Sequence, residues 1–410
     1  MQLPPPLSET SDVDLARMRR ERVAKLQAEM ERLEVDALVL SGSGNVAYST
    51  GATQMTVDVS RAIQEPTMTV LLRHGQPHLF TAYPEGAPRD LPDDRVHPPL
   101  LTEFVDGVRG LADALRGLLG EGAPRVAFDE FSATTFEHLP RLLPAVLIGD
   151  AGPALAAAKL CKTDDELECI RRAQRINELA MYRVYERLRP GIRQSDLSGI
   201  FLRAIFEFGA SGNSVDPIWH PTPRAIADGP YTVNGDVAFP TCSSDRILRQ
   251  DELIFVDSGV LYEGYSSDFG RTWIVGHRPV SSRERDHCKR WQDVVRRALA
   301  ITQPGTTGLE LTRAAKAGEH ERPPWLAHFY LAHGVGTESA EMPFVGSDLG
   351  DDFDDGIVLQ PGMVLVFEPV IWDDGYGGYR SEEIVAVTDD GYRMLSDFPY
   401  MPFDEDVPEW

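Results

Sequence analysis

Apolar residues at Leu15, Met18, Val23, Leu26, Met30 and Leu33 recur at close to the helical period, with charged residues between them. That spacing predicts an amphipathic helix over 14–33, because side chains three and four apart share one face. The apolar run at 36–40 is of the buried-strand type, and the Ser/Gly residues at 41–44 close it with a turn. The segment 45–51, Asn-Val-Ala-Tyr-Ser-Thr-Gly, enters the next element. Strands are expected at 68–72 and 77–81, then a helix at 104–119 with Val105, Val108, Leu111, Leu115 and Leu118 on one face. A strand at 125–129, a short helix at 134–143 and a strand at 146–148 complete the run. Alternation of this kind predicts an α/β domain over 1–155.

The pattern changes from 156 onward. The small apolar stretch 151–158 is expected to be a connector. Thr163 and Glu166 have capping-box spacing, each able to satisfy the other's backbone amide. The helix they open carries Leu167, Ile170, Ala173, Ile176, Ala180, Val184 and Leu188 on one face, and Pro190-Gly191 stops it. A second helix runs from Ser195 to near Gly209. Pro and Gly then crowd 211–230, which predicts a long loop. The apolar run 253–256 delivers Asp257 at a strand end. Gly259 and Gly264 mark a turn, and 266–274 returns as a strand carrying Asp268. Helices are expected at 287–301 and 309–320, and strands with Gly- and Asp-rich loops over 328–398. A second domain is therefore expected over 156–410.

A chain of 410 residues has two domains as its natural prior, and 42% apolar and 25% charged residues are those of a soluble globular protein. The formal net charge of −24 argues against nucleic acid as a partner, since phosphate backbones need clustered Lys and Arg. The four cysteines, Cys161, Cys169, Cys242 and Cys288, show no paired metal spacing and are expected to be reduced thiols. The proline-rich N-terminus lacks the apolar core of a signal peptide, and no window approaches the ~18 apolar residues of a membrane span. The expected location is cytoplasmic, with no membrane partner.

Asp257 and Asp268, on neighbouring antiparallel strands, can face each other and share a cation. The plain alternative is two carboxylates at strand ends, solvated or capping turns. The rest of the C-terminal half weighs against it. His333 sits in Ala-His-Gly-Val-Gly, Glu368 ends the run Met-Val-Leu-Val-Phe, and Glu382 stands at the edge of a strand. Four carboxylates and one imidazole form an oxygen-rich donor set that suits Mn, Fe, Co or Zn in a two-metal site better than a closed structural zinc. Without cations, converging carboxylates repel and take up protons. Two divalent ions offset that repulsion, and they can ionise a water and polarise a carbonyl.

Five motifs then carry a resemblance: Asp257-Ser-Gly, Ser267-Asp268-Phe-Gly-Arg-Thr, His333-Gly-Val-Gly, Pro361-Gly-Met-Val-Leu-Val-Phe-Glu368-Pro and Tyr379-Arg-Ser-Glu382-Glu-Ile. In this order they resemble the M24, or pita-bread, metallohydrolases: methionine aminopeptidase, aminopeptidase P, prolidase and, with the metal lost, creatinase. Asp36-Ala-Leu-Val-Leu and Asn45-Val-Ala-Tyr48-Ser-Thr-Gly51 resemble the creatinase/prolidase N-terminal domain. The resemblance implies a creatinase-like α/β domain followed by an α+β pita-bread catalytic domain, and a homodimer. It implies two divalent ions, Mn first among them. Asp257 and Asp268 would bind one ion, with Asp268 also bridging. His333 and Glu368 would bind the other, and Glu382 would bridge. Arg380 matches a family arginine near the substrate carboxylate or the ligands.

The chain also departs from the family. The peptidases carry two further active-site histidines, and the matching positions here fall at or near Phe239 and at Ala340. His328 or His220 is the candidate replacement, as a catalytic imidazole. Trp219, Phe239, Ala340 and Glu341 are candidate substrate-binding residues, with Trp219, His220 and Arg224 on a loop able to close as a lid. Three readings follow. The first is a hydrolase of an amide or peptide C–N bond, Xaa-Pro peptidase-like, acting on a dipeptide or an atypical small molecule. The second is a metal-dependent lyase resembling the family's dimethylsulfoniopropionate lyase, whose base matches Ser339 here, a residue that cannot serve. The third is a silent binding module, against which stand the five retained ligands.

Overall fold

The computed structural model describes residues 11–52, 67–120, 122–225, 244–276, 278–317 and 330–404. Its contacts separate two compact units, one spanning Asp12–Lys159 and one running from Leu160 to the C-terminus.

The first unit contains α1 (Leu15–Arg32), β1 (Ala37–Leu40), α2 (Ser43–Thr50), β2 (Met68–Leu72), β3 (His78–Phe80), β4 (Val96–His97), α3 (Val105–Leu119), β5 (Arg125–Phe128), α4 (Ala133–Leu142), β6 (Leu147–Asp150) and α5 (Gly152–Leu160). The described strands form one mixed sheet in the order β4-β3-β2-β1-β5-β6. Successive side chains of a strand point to opposite faces, and β1 shows what that does. Ala37 and Val39 join Val108, Leu111, Leu115 and Leu139 of α3 and α4 on one face. Leu38 and Leu40 join Leu26, Met30, Tyr48, Ala154 and Leu155 of α1, α2 and α5 on the other. An apolar run without alternation is thus a central strand covered on both sides. The stretch expected to be a connector, 151–158, is helical. Its alanines have the best intrinsic helix propensity, and Ala154 and Ala158 are buried.

The second unit opens with α6 (Asp164–Tyr185), where Thr163 and Glu166 form the expected capping box. α7 (Gln194–Glu207), β7 (Gly212–Pro221), β8 (Leu253–Tyr262), β9 (Tyr265–Ser266) and β10 (Phe269–Ile274) follow. Ile176, Ala180, Phe201 and Ile205 of α6 and α7 pack with Trp219, Ile254, Val256 and Trp273 beneath the sheet β10-β8-β7. The same scheme then recurs. α8 (Ser282–Leu299) and α9 (Gly308–Lys316) pack beneath strands β11 (Ala332–Gly334), β12 (Glu341–Val345), β13 (Val364–Phe367), β16 (Glu383–Val387) and β17 (Tyr392–Met394). Their order is β12-β11-β13-β16-β17. The short helix α10 (Asp351–Gly356) and the ribbon of β14 (Ile371–Asp373) and β15 (Gly377–Tyr379) complete the described elements. Helices cover one face of each sheet, and the opposite faces carry the candidate ligands.

Two further expectations require correction. Residues 212–221 are a strand, not part of a loop. Trp219 pairs with Val256, and His220 with Phe255. Pro217 is tolerated because β7 is bulged between Val215 and Ile218, the kind of position where proline does not interrupt a ladder. Gly259 is not a turn residue but lies within β8, where a Cβ would run into Ser214 and Val215. Only Gly264, at φ +80°, makes the turn.

Candidate metal centre

β8 pairs with β7 on one side and β10 on the other, so Asp257 lies inside the sheet, opposite Ile218 and Gly270. Phe255 shares its face, whereas Ile254 and Val256 point into the helix-covered core. Asp268 sits between β9 and β10 and is buried. His333 is in β11, Glu368 immediately follows β13, and Glu382 immediately precedes β16. The two sheets meet at Gly270. The Glu382 amide donates to its carbonyl oxygen at 3.1 Å, and a side chain there would overlap the Glu382 carboxylate. The absence of a side chain opposite Asp257 is what lets Glu382 reach across from the other sheet.

Among the described residues two buried groups have ligand atoms within 4.8 Å of one another: Asp268–His333–Glu368 and Asp257–Asp268–Glu382. Asp268 belongs to both. His333 Nε2 is 2.7 Å from Glu368 and 3.3 Å from Asp268. Its Nδ1 lies 2.8 Å from the Gly334 carbonyl oxygen, which fixes the proton on Nδ1 and turns Nε2 toward the carboxylates. Arg380 Nη2 donates to Glu368, to Glu382 at 2.9 Å and to Asp257 at 3.4 Å, with the guanidinium 4.2 Å above the Phe255 ring. Arg380 is therefore a charge partner of the carboxylates.

One guanidinium and one imidazole do not balance four carboxylates. Burial raises the Asp257 carboxyl well above its ordinary range against the pull of Arg380, and Asp268 and Glu368 add to the rise. Burial does the same to Asp268 and Glu382, each aided by its acidic neighbours. Glu368 goes the other way. Burial opposes its ionisation, but Arg380 and His333 together hold it low. His333 is raised despite burial, because Glu368 and Asp268 face its ring. Among the described residues, the buried Asp257 Oδ1 and Glu382 Oε2 find no hydrogen-bond partner, a costly state for a carboxylate oxygen. Orphaned acceptors in a crowded acidic cluster fit divalent cations.

Buried partners hold these side chains in place. Asn177 on α6 donates to the Ser258 carbonyl oxygen at 2.9 Å and to Ser267 Oγ at 3.0 Å, and it accepts from Ser258 Oγ at 2.7 Å. It thereby clamps the residues flanking Asp257 and Asp268. Asn177→Ala should destabilise the protein by about 2–3 kcal/mol, since it leaves several buried polar groups without partners. Urea unfolding of the metal-free protein measures this, and a loss below about 0.5 kcal/mol would show that the clamp is idle. Glu383, adjacent to Glu382, faces the opposite way as strand alternation requires. It accepts from Arg271 at 3.0 Å and from Ser396 and Tyr400.

The other candidates fare differently. Trp219 is not a lid residue. It is fully buried, donates its indole N–H to Ser198 Oγ at 2.9 Å and lies edge-on to Phe201. An indole pointing below the sheet cannot touch a substrate above it. His220 is half-buried on the Asp257 face, and burial, then Arg246, lower its pKa, with Glu252 opposing. Arg224 is exposed. Ala340 is exposed, and the Glu341 carboxylate is paired with the buried Lys162 at 2.7 Å. Phe239 and His328 lie outside the described residues. Sequence reasoning missed Tyr330, whose ring lies edge-on to His333 at 5.2 Å and 5.7 Å from Phe344. It also packs with Val370 and Trp372. Burial raises the Tyr330 phenol, and Glu368, Asp268 and Glu382 add to the rise against Arg380. An odd spacing of three from His333 places the two on opposite faces of a regular strand, but β11 begins only at Ala332.

The profile of Metallopeptidase family M24 matches residues 168–389, and that of the Creatinase/Prolidase N-terminal domain matches 22–160. The chain is 29% identical over 241 residues to an Xaa-Pro dipeptidase of Pyrococcus furiosus, covering 58% of this chain and 63% of that protein. It is 29% identical over 311 residues to the probable dipeptidase PepE of Mycobacterium tuberculosis, covering 73% and 74%. Among solved structures, the prolidase of Pyrococcus horikoshii OT3 superposes with a TM-score of 0.72 at 22% identity, covering 93% of this chain and 99% of that one. The prolidase of Thermococcus sibiricus gives 0.75 at 20% identity, covering 95% and 99%. These likenesses show the two-domain creatinase-like and pita-bread fold. With the M24 profile spanning more than half of its length, the chain belongs to the M24 metallopeptidase family.

Proposed function

We propose that this protein is a metal-dependent hydrolase of an amide or peptide C–N bond, of the Xaa-Pro peptidase kind but with a small, atypical substrate. The observation that carries the reading is the pair of buried triads sharing Asp268. Asp257 and Asp268 would hold one divalent ion and His333 and Glu368 the other, with Asp268, common to the two groups, and Glu382 completing the set. The oxygen-rich donors suit Mn first, then Fe, Co or Zn. Bound there, such ions supply Lewis acidity that polarises a scissile carbonyl and acidifies water.

The chain's own groups prepare the site. His333 presents Nε2 because Nδ1–H is committed to Gly334. Arg380 and His333 keep Glu368 ionised. Arg380 is engaged by three carboxylates, which leaves recognition of the substrate to the surrounding walls. Phe239 and Ala340, which match at or near the positions of the peptidase histidines, cannot shuttle a proton, a function typically worth about 10²–10⁴ in rate.

Ordinary Xaa-Pro dipeptides should therefore turn over below about 10 s⁻¹, the median for enzymes. The test is product analysis by NMR of a panel of Xaa-Pro dipeptides and small N-acyl amines, with Mn and with chelator. Hydrolysis releases an amine and an acid only with Mn. Fast turnover of common Xaa-Pro dipeptides overturns the small-substrate reading. Failure to release amine from any compound overturns the hydrolase, and an alkene product points to elimination.

A further inference from the structure

We propose that Lys162 is a positioning residue of the metal centre: it straps together the strands on either side of β11 and so holds the His333 imidazole in the orientation a metal ion needs. The inference rests on the hydrolase reading and names a residue outside the ligand set on which that reaction depends. Lys162 meets the sheet at two places. Its ammonium donates to Glu341 of β12 at 2.7 Å, and the two side chains are 1% and 10% exposed. Its backbone amide donates to the Gly362 carbonyl oxygen at 2.8 Å, in the turn that enters β13. β11 lies between β12 and β13, so the strap closes around the strand that carries His333.

The path from Glu341 to the imidazole is short. Glu341 pairs with Gly334, across a register shift that falls between His333 and Gly334. Such a shift disrupts the ladder locally, so the Gly334 peptide needs another support. Its carbonyl oxygen takes the Nδ1–H of His333 and thereby sets which ring nitrogen faces the carboxylates. β12 presses on it directly, since a Cβ at Gly334 would stand 2.3 Å from the Met342 carbonyl oxygen. Beyond it the turn is tied to the other sheet. The Ser266 amide, two residues before Asp268, donates to the Gly336 carbonyl oxygen at 2.7 Å. An apolar pair could fill the space of Lys162 and Glu341, but it would let β12 slide. A buried ion pair holds one geometry.

The test compares the wild type with Lys162→Met and with the double variant Lys162→Met/Glu341→Leu, which leaves no buried charge unpaired. Three quantities are measured: Tm of the metal-free proteins, Mn affinity by calorimetry, and kcat and KM of the Mn-loaded proteins on the best substrate of the panel. The double variant is expected to melt within about 4 °C of the wild type. Its Mn affinity should be weaker by about 10–100-fold, and its kcat lower by a similar factor with KM within about threefold. Lys162→Met should share both losses and also melt lower, because Glu341 is stranded. Recovery of Mn affinity and kcat along with Tm in the double variant overturns the proposal, since the pair then only stabilises the fold. Wild-type Mn affinity and kcat in Lys162→Met overturn it too. Mn binding is read without turnover. A wild type that hydrolyses nothing therefore sinks the hydrolase reading, while weaker Mn binding by the double variant still upholds the strap. A wild type that binds no Mn sinks both.

Discussion

Asp268→Asn should empty the site of metal and abolish turnover in one step. Asp268 is the residue common to the two triads, so its replacement removes an anionic ligand from both. Even residues that only orient ligands cost about 10–100-fold when changed. A shared ligand should cost on the order of 10³-fold or more in kcat/KM, with metal content falling below half of the wild-type value. Metal analysis after dialysis and steady-state kinetics check both parts. A variant that keeps its metal and loses less than about tenfold in rate would remove Asp268 from the bridging position. Folding should survive, because an amide of the same shape relieves a crowded acidic cluster.

The second large effect separates two adjacent residues. Glu382→Gln should lose metal and activity, yet leave the metal-free protein no less stable, since it takes one charge out of a repelling set. Glu383→Gln should behave in the opposite way. Its carboxylate is the counter-ion of Arg271, and both side chains are buried. Arg271 also donates to the backbone oxygens of Glu382 and Phe398 and lies 4.5 Å from the Tyr400 ring. Breaking a buried pair from one side costs about 3–5 kcal/mol, so Glu383→Gln should lower Tm clearly. Its activity should fall only about 10–100-fold, through displacement of Glu382. Thermal melts of the metal-free proteins together with metal-loaded kinetics decide the matter. Equal activity losses with equal melts would show that the strand does not divide the two roles.

The convergence of Asp257, Asp268, His333, Glu368 and Glu382 was legible because they stand in motifs whose order resembles that of the M24 family. Asp257 follows an apolar run, and Glu368 follows another. Such runs had to be central strands, which fixed where their ends deliver side chains. Capping boxes were equally plain: Thr163 with Glu166 opens α6 as expected. The failures have physical causes too. β7 was hidden because Gly212, Pro217 and Pro221 punctuate it; Pro217 sits in a bulge, and Gly212 and Pro221 stand at its two ends. Trp219 then followed its strand into the core. α5 carries few charges to mark a polar face, so its helical period was invisible. Tyr330 escaped notice because its chain has not yet settled into β11, and period-two reasoning does not apply there.

The contact between Gly270 and Glu382 has a consequence for how the protein comes into being. Arg380 and Asp257, which meet beside it, are 123 residues apart in the chain. Contacts of such separation form late, since a long loop must close before they gain anything. During synthesis the β8–β10 hairpin leaves the ribosome with its two aspartates and without His333, Glu368 or Glu382. A nascent chain cannot assemble either triad. Metal capture at this candidate site would thus be a late event in maturation, and a metal-loaded state would certify that both sheets of the catalytic unit have docked.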